Sequence, residues 1–210
     1  MALTLLEAMH EAGLPPQPNL LIAATADEEN GAQSAPVFAS WVQQQQIPLT
    51  ELLVAEPTMC APVYGHKGGV RFKFEVKGVA SHSAKPHLGK NAIFAAARLI
   101  TALEEEHQRL QTLPAETDLG QHTLNVSIIK GGSGGNDVPD SCKFFADWRA
   151  VPDMTIEEIV THVTDLTRQS CPLPVTVSVE GSITPFLQPA NSPWLRQLAD
   201  WSGQPPAIVP

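Results

Sequence analysis

Two kinds of apolar pattern divide the chain. Residues 19–26 and 51–55 are continuous apolar runs, the signature of strands covered on both faces. Between them Val37, Phe38, Trp41 and Val42 recur at helical spacing behind Ser34-Ala35-Pro36. That tripeptide reads as a helix start, with Ser34 as cap and Pro36 in the first turn. Strand, helix, strand in this order predicts a right-handed crossover between parallel strands. Ahead of it, Leu3, Leu6 and Met9 suit an amphipathic helix stopped by Gly13 and Pro15-Pro16.

After Gly68-Gly69 the period changes to two. Val70, Phe72, Phe74 and Val76 alternate with Arg71, Lys73, Glu75 and Lys77, which predicts a half-exposed strand. Residues 91 to about 111 follow as a long helix, with Ile93, Ala97, Ile100 and Leu103 on one stripe and a solvated acidic run at 104–106. Residues 123–130 and 142–149 read as strands joined by GGSGGNDVPD. Thr155 caps a second helix with Glu157 and Glu158 in its first turn, and 175–179 alternates again. The order is β-α-β-β-α-β, the ferredoxin-like arrangement, with a sheet covered by helices on one face. Beyond Gly181 comes a helix capped by Asn191 or Ser192, with Pro193 in its first turn and Gly203 at its end. PPAIVP then begins a further buried strand, so the expectation is of a domain cut short.

Composition narrows the function classes. A net charge of -9 removes the basic face that nucleic acid requires and leaves no polybasic segment for anionic lipid. No apolar run reaches the roughly 20 residues of a membrane helix, and the N-terminus lacks the basic start of a signal peptide. Three widely spaced cysteines, Cys60, Cys142 and Cys171, imply neither a disulfide framework nor a metal knuckle. A cytoplasmic protein that binds neither membrane nor nucleic acid is expected.

The candidate chemistry begins where the first apolar run ends, at Asp27-Glu28-Glu29, adjacent carboxylates that repel one another. Either they are a solvated turn or they await a cation. The second run ends at Glu56. Parallel strands finish on one edge of a sheet, so the crossover would bring Glu28, Glu29 and Glu56 together where open α/β sheets bind ligands. His82 lies in a loop, as an ordinary exposed histidine or a site residue. The glycines of GGSGGNDVPD lack the Gly-Lys-Ser/Thr ending of a phosphate cradle and suit a close-approaching loop, with Asn136 after them. Arg149 offers a planar fork to a carboxylate, or a surface ion pair to Asp147 or Asp153. No serine nucleophile elbow is present, and Cys142 reads as a packing residue.

Taken in order, ATADEENGA, VAEPT, GHKGG, SHSAKPHLGKNAI, GGSGGNDVPDSC and DWRAVPDMT resemble the zinc-dependent aminoacylase, acetylornithine deacetylase, succinyl-diaminopimelate desuccinylase and carboxypeptidase G superfamily. The resemblance runs from about Leu20 to the end. It implies an α/β fold: a mostly parallel-sheet metallohydrolase domain, here partial, with an inserted ferredoxin-like lid and dimerisation domain. The corresponding boundaries are 1–67 for the first catalytic part, 68–180 for the insert and 181–210 for a truncated second part. It implies roles as well. Glu28 matches the general base, while Glu29 and Glu56 match ligands to two Zn2+ ions, with Co2+ or Mn2+ as alternatives. His82 matches the histidine that steadies the oxyanion, often in the partner subunit of a homodimer, and Asn136 and Arg149 match groups that hold the substrate carboxylate.

The implied reaction is hydrolysis of the amide of an N-acyl amino acid or short peptide by metal-activated water, closest in motif to acetylornithine deacetylase. A peptidase or desuccinylase is the near alternative, and a non-catalytic dimerisation or ligand-binding module the distant one. The family's His-x-Asp segment, bridging aspartate and final histidine ligand have no counterpart in these 210 residues. The chain is therefore expected to be an internal fragment, inactive alone.

Overall fold

A computed structural model describes residues 2–14, 20–26 and 33–209. They form two units, Met1–Ala55 and Glu56–Pro210.

In the first unit, helix α1 (Ala2–Glu11) ends as its sequence implies. Gly13 takes a φ of +64°, and the Leu14 amide donates to the Met9 carbonyl oxygen at 2.9 Å. Helix α2 (Ser34–Gln44) carries the expected Trp41 and Val42, but its cap differs from expectation. Gln33 occupies the cap position, and its side chain does not cap the helix. Ser34 is already helical, and its hydroxyl donates to the Ala26 carbonyl oxygen.

The two apolar runs are a larger correction. The described residues 20–26 and all of 51–55 are irregular backbone, not the predicted parallel strands. Leu20, Leu21 and Ile22 are 41–50% exposed, and Leu52, Leu53 and Val54 are 63–66% exposed. A parallel strand is held by its lateral neighbours and by cover on both faces. Among the described residues neither run has a ladder partner.

The second unit holds the ferredoxin-like domain. Strand β2 (Gly68–Lys77) buries Val70, Phe72, Phe74 and Val76 at 0–1% exposure, the alternation seen in the sequence. Helix α3 (Ala92–Thr112) starts at Asn91, whose side chain accepts the Phe94 amide at 3.0 Å. Strands β4 (Thr123–Gly131) and β6 (Ser141–Ala150) follow, then helix α4 (Ile156–Ser170) and strand β7 (Val175–Ile183). Thr155 and Glu158 form a reciprocal capping box at the start of α4. The sheet order is β4-β6-β2-β7, and all its pairs are antiparallel.

Both helices lie on one face of this sheet. Leu99 and Leu103 of α3 and Ile159 and Val163 of α4 bury against Phe72, Phe74, Phe144 and Trp148. Phe74 and Phe144 stack at 4.4 Å between ring centroids. Each such side chain contributes on the order of 1.5–3 kcal/mol through burial. The opposite face carries ion pairs instead, Glu75 with Lys73 and Lys143, and Asp147 with Arg71 and Arg149.

A second, mixed sheet sits beside the chain's entry to and exit from this domain. Strand β1 (Val63–His66) pairs antiparallel with β8 (Phe186–Leu187) and parallel with β9 (Ala207–Val209). Segments on either side of the four-stranded domain are thus adjacent. Strand β9 is the expected apolar run, whereas the four residues VYGH of β1 gave no periodic signal. Helix α5 (Pro193–Ser202) begins at Ser192, whose hydroxyl accepts the Leu195 amide, and ends at Gly203 with a φ of +65°.

Candidate functional site

Of the six candidate residues, Glu28 and Glu29 lie outside the described residues, as does Asp27. Glu56 is exposed and opens a tight turn: its carbonyl oxygen accepts the Thr58 amide at 2.8 Å. Met59 and Cys60 complete the turn with φ of 55° and 64°, an uncommon pair of left-handed non-glycine residues.

His82 and Asn136 are brought together. Two short strands do this, β3 (Ser81–His82) and β5 (Asp137–Val138), with His82 opposite Asp137. His82 therefore sits in a paired segment rather than a free loop. The Ser83 amide donates to the Asn136 carbonyl oxygen at 2.8 Å. The Lys85 amide closes a turn onto the His82 carbonyl at 2.8 Å.

The imidazole is oriented by its own turn. The Ala84 amide donates to His82 Nδ1 at 3.1 Å. An amide can only donate, so Nδ1 is the bare nitrogen of the neutral ring and Nε2 carries the proton. Nε2–H has no partner among the described residues and lies on an exposed side chain. Chemically this is a hydrogen-bond donor held on a fixed arm.

The arm is fixed by close approach of backbone. Gly78 donates to the Asp140 carbonyl at 2.7 Å, and Val79 and Lys90 exchange amide bonds at 2.9 and 2.8 Å. A methyl group on Gly78 would run into the Lys90 carbonyl oxygen and lie 3.1 Å from both Ala92 N and Pro139 O. One at Gly89 would lie 2.6–2.9 Å from Ser81 Oγ, Val79 O and Val138 Cγ1. Only glycine allows these contacts.

Arg149 lies elsewhere. It is on the open face of the sheet near the end of β6, with Nε 2.8 Å from Asp147 Oδ1. Of the two ion-pair partners considered, the structure selects Asp147. A concavity of about 400 Å³ opens beside this pair, lined in part by Arg71, Ile128, Phe145 and Asp147. Arg149 pairs with Gly69 at the start of β2, whereas Ser141 pairs with Lys77 at its end. Eight residue steps at about 3.4 Å put the two ends roughly 27 Å apart. His82 and Asn136 are beyond the Ser141 end, so within one chain they do not converge with Arg149.

Sequence reading missed a polar cluster around Trp148. His122, 3% exposed, accepts the Trp148 indole N–H at 3.0 Å and pairs through Nε2 with Asp153. Glu106, 7% exposed, accepts both Arg109 Nε and Nη2 at 2.8 and 2.7 Å and lies 2.9 Å from His162 Nε2. Burial alone would raise the Glu106 carboxyl; the Arg109 and His162 contacts outweigh it and hold the group below the usual carboxylate range. Glu106 reads as part of a solvated acidic run because its partner on α4 is 56 residues away.

The family model described as a peptidase dimerisation domain matches residues 64–172. The chain belongs to that family. Relatives of the dimerisation-domain chain include an acetylornithine deacetylase of Myxococcus xanthus, 32% identical over 198 residues, covering 90% of this chain and 51% of the relative. A probable carboxypeptidase of Ajellomyces capsulatus is 40% identical over 96 residues, covering 43% of this chain and 21% of that protein. Among solved structures, an aminopeptidase from Bacillus cereus shares the fold with a TM-score of 0.64 at 19% identity, covering 88% of this chain and 48% of that one. The chain thus spans about half the length, or less, of these relatives. The two curated relatives are a deacetylase and a probable carboxypeptidase, which supports a hydrolase family.

Among the described residues no three His, Cys, Asp or Glu side chains gather to hold a metal ion. A catalytic zinc takes three protein ligands and a water. Glu56 is the one described candidate, so the described residues do not fit a zinc centre. No helix among them is long and apolar enough to cross a membrane.

Proposed function

We propose that this chain contributes to hydrolysis of the amide bond of an N-acyl amino acid, in the manner of an acetylornithine deacetylase. The observation that carries the reading is the His82–Asn136 arm. Its Nε2–H is free among the described residues, its tautomer is set by the Ala84 amide, and it meets the requirement for an oxyanion donor, which must be oriented before charge develops. Arg149 holds the carboxylate of the substrate, and Asn136 supports it from the arm. Glu28 acts as general base, and Glu29 and Glu56 are carboxylates suited to a divalent ion. The described residues supply one of the three ligands such an ion needs, so no step is drawn through it.

A separation of roughly 27 Å between Arg149 and the arm exceeds the size of an N-acyl amino acid. The reading therefore requires two copies, with the arm of one completing the site of the other. We assign their contact to the free edge of β4, where Phe94 of α3 and Ile129 of β4, on the helix side of the sheet, are 69% and 52% exposed.

These residues hold no His-x-Asp pair. The chain alone is expected to bind zinc weakly and to leave N-acetyl-L-ornithine intact. Addition of a polypeptide carrying the remaining ligands should produce activity, and His82→Ala should then lower kcat by about 10²–10³. Stoichiometric zinc retained by the isolated chain after dialysis would refute the partial-site reading. An unchanged kcat in His82→Ala would refute the role of the arm.

A further inference from the structure

We propose that His122 is a positioning residue for Arg149. The proposal rests on the reading of Arg149 as the group that holds the substrate carboxylate.

Arg149 is the next-to-last residue of β6, and the ladder with β2 ends at the following pair, Gly68 with Ala150. Strand ends fray unless tied. Its cross-strand partners are Gly69 on β2, which has no side chain to brace it, and Thr123, the first residue of β4 and the chain neighbour of His122. Alternation alone turns Arg149 to the open face, because Trp148 and Ala150 on either side are fully buried under the helices.

His122 immediately precedes β4 and bonds on both sides of Arg149. Its Nδ1 accepts Trp148 Nε1–H at 3.0 Å and the Val151 amide at 3.4 Å. Its Nε2 faces Asp153 Oδ1. An indole and an amide can only donate and a carboxylate accepts, so the ring is neutral, bare at Nδ1 and protonated at Nε2. The ring also meets Trp148 edge-on at 5.7 Å. Among the described residues no other side chain bonds the backbone of 148–153. One imidazole thus fixes the residue before Arg149, the second residue after it, and Asp153 beyond. Asp147, which holds the guanidinium, is on the same stretch of strand.

The test follows the Arg149 Nε–H signal by NMR in the intact chain while N-acetyl-L-ornithine is added. In the wild type the signal is expected to be distinct, because of Asp147, and to shift as the carboxylate binds. In His122→Ala the signal should collapse towards the free-arginine position, Val151 amide exchange should quicken about tenfold or more, and ligand affinity should fall about tenfold. His122→Asn, whose Oδ1 can replace Nδ1 as acceptor, should restore all three. Val76→Ala, a core change at the opposite end of the β2–β6 ladder, should leave the Arg149 signal in place.

An unmoved Arg149 signal and unchanged affinity in a folded His122→Ala overturn the proposal. If that variant does not fold, Asp153→Ala removes only the Nε2 partner and should give the same changes at smaller amplitude; no change overturns it. Failure of the carboxylate reading looks different. Arg149→Gln would then bind N-acetyl-L-ornithine as the wild type does, with the His122 effects on Val151 exchange intact.

Discussion

Gly78→Ala is the most direct perturbation of the His82 arm. The three atoms nearest the added methyl are all backbone, Lys90 O, Ala92 N and Pro139 O, and none can turn away as the end of a flexible side chain could. Relief requires the backbone to move by on the order of an ångström, at about 1–3 kcal/mol for overpacking. The movement also strains the Gly78–Asp140 bond and the Val79–Lys90 pair, three amide bonds each worth about 1 kcal/mol. A total loss of about 2–4 kcal/mol is expected if part of that set breaks. Urea unfolding followed by the buried Trp148 measures it, and deuterium exchange at Val79 and Lys90 locates it. Because His82 is three residues beyond Val79, its Nε2 should shift with the backbone, and a displacement of about 1 Å can lower turnover roughly 10²-fold. A variant within about 0.5 kcal/mol of wild type, with Val79 still protected, would refute the claim that glycine packing sets the arm.

Glu106→Gln should destabilise the chain by about 1 kcal/mol at pH 7, a modest value because Arg109 is half exposed. Its folded pKa is depressed, so the stabilisation is present above about pH 4.3 and fades as pH falls through the folded value; urea unfolding should show the gap to wild type closing there, and a gap that persists in strong acid would contradict the ion-pair account. Phe94→Glu with Ile129→Lys should convert a dimer to a monomer in sedimentation velocity, whereas dissociation caused instead by Val179→Lys with Ile183→Lys would move the contact to the β7 edge. Thr155→Ala removes the hydroxyl half of the α4 capping box, leaving the backbone N–H of residue 155 bonded to Glu158, and should lower stability by about 1 kcal/mol, read from the thermal midpoint.

Local order in this protein was written in local pattern. The period-two alternation of 70–77, the Thr155–Glu158 box and the Ser192 and Gly203 ends of α5 each depend on residues within a few positions, so they were legible before any fold was known. The β-α-β-β-α-β order followed from them, and it fixes which face of the sheet is buried. The site is a different matter. Residues 20–26 and 51–55 have the right composition for buried strands, yet a strand is made by its neighbours, and the described residues give them none. His82 and Asn136 meet through two two-residue strands too short to leave a periodic trace. His122 finds Trp148, Val151 and Asp153 across 26 to 31 residues. Side-chain hydrogen bonds at such separations are set by how the sheet closes, and only the tertiary structure decides them.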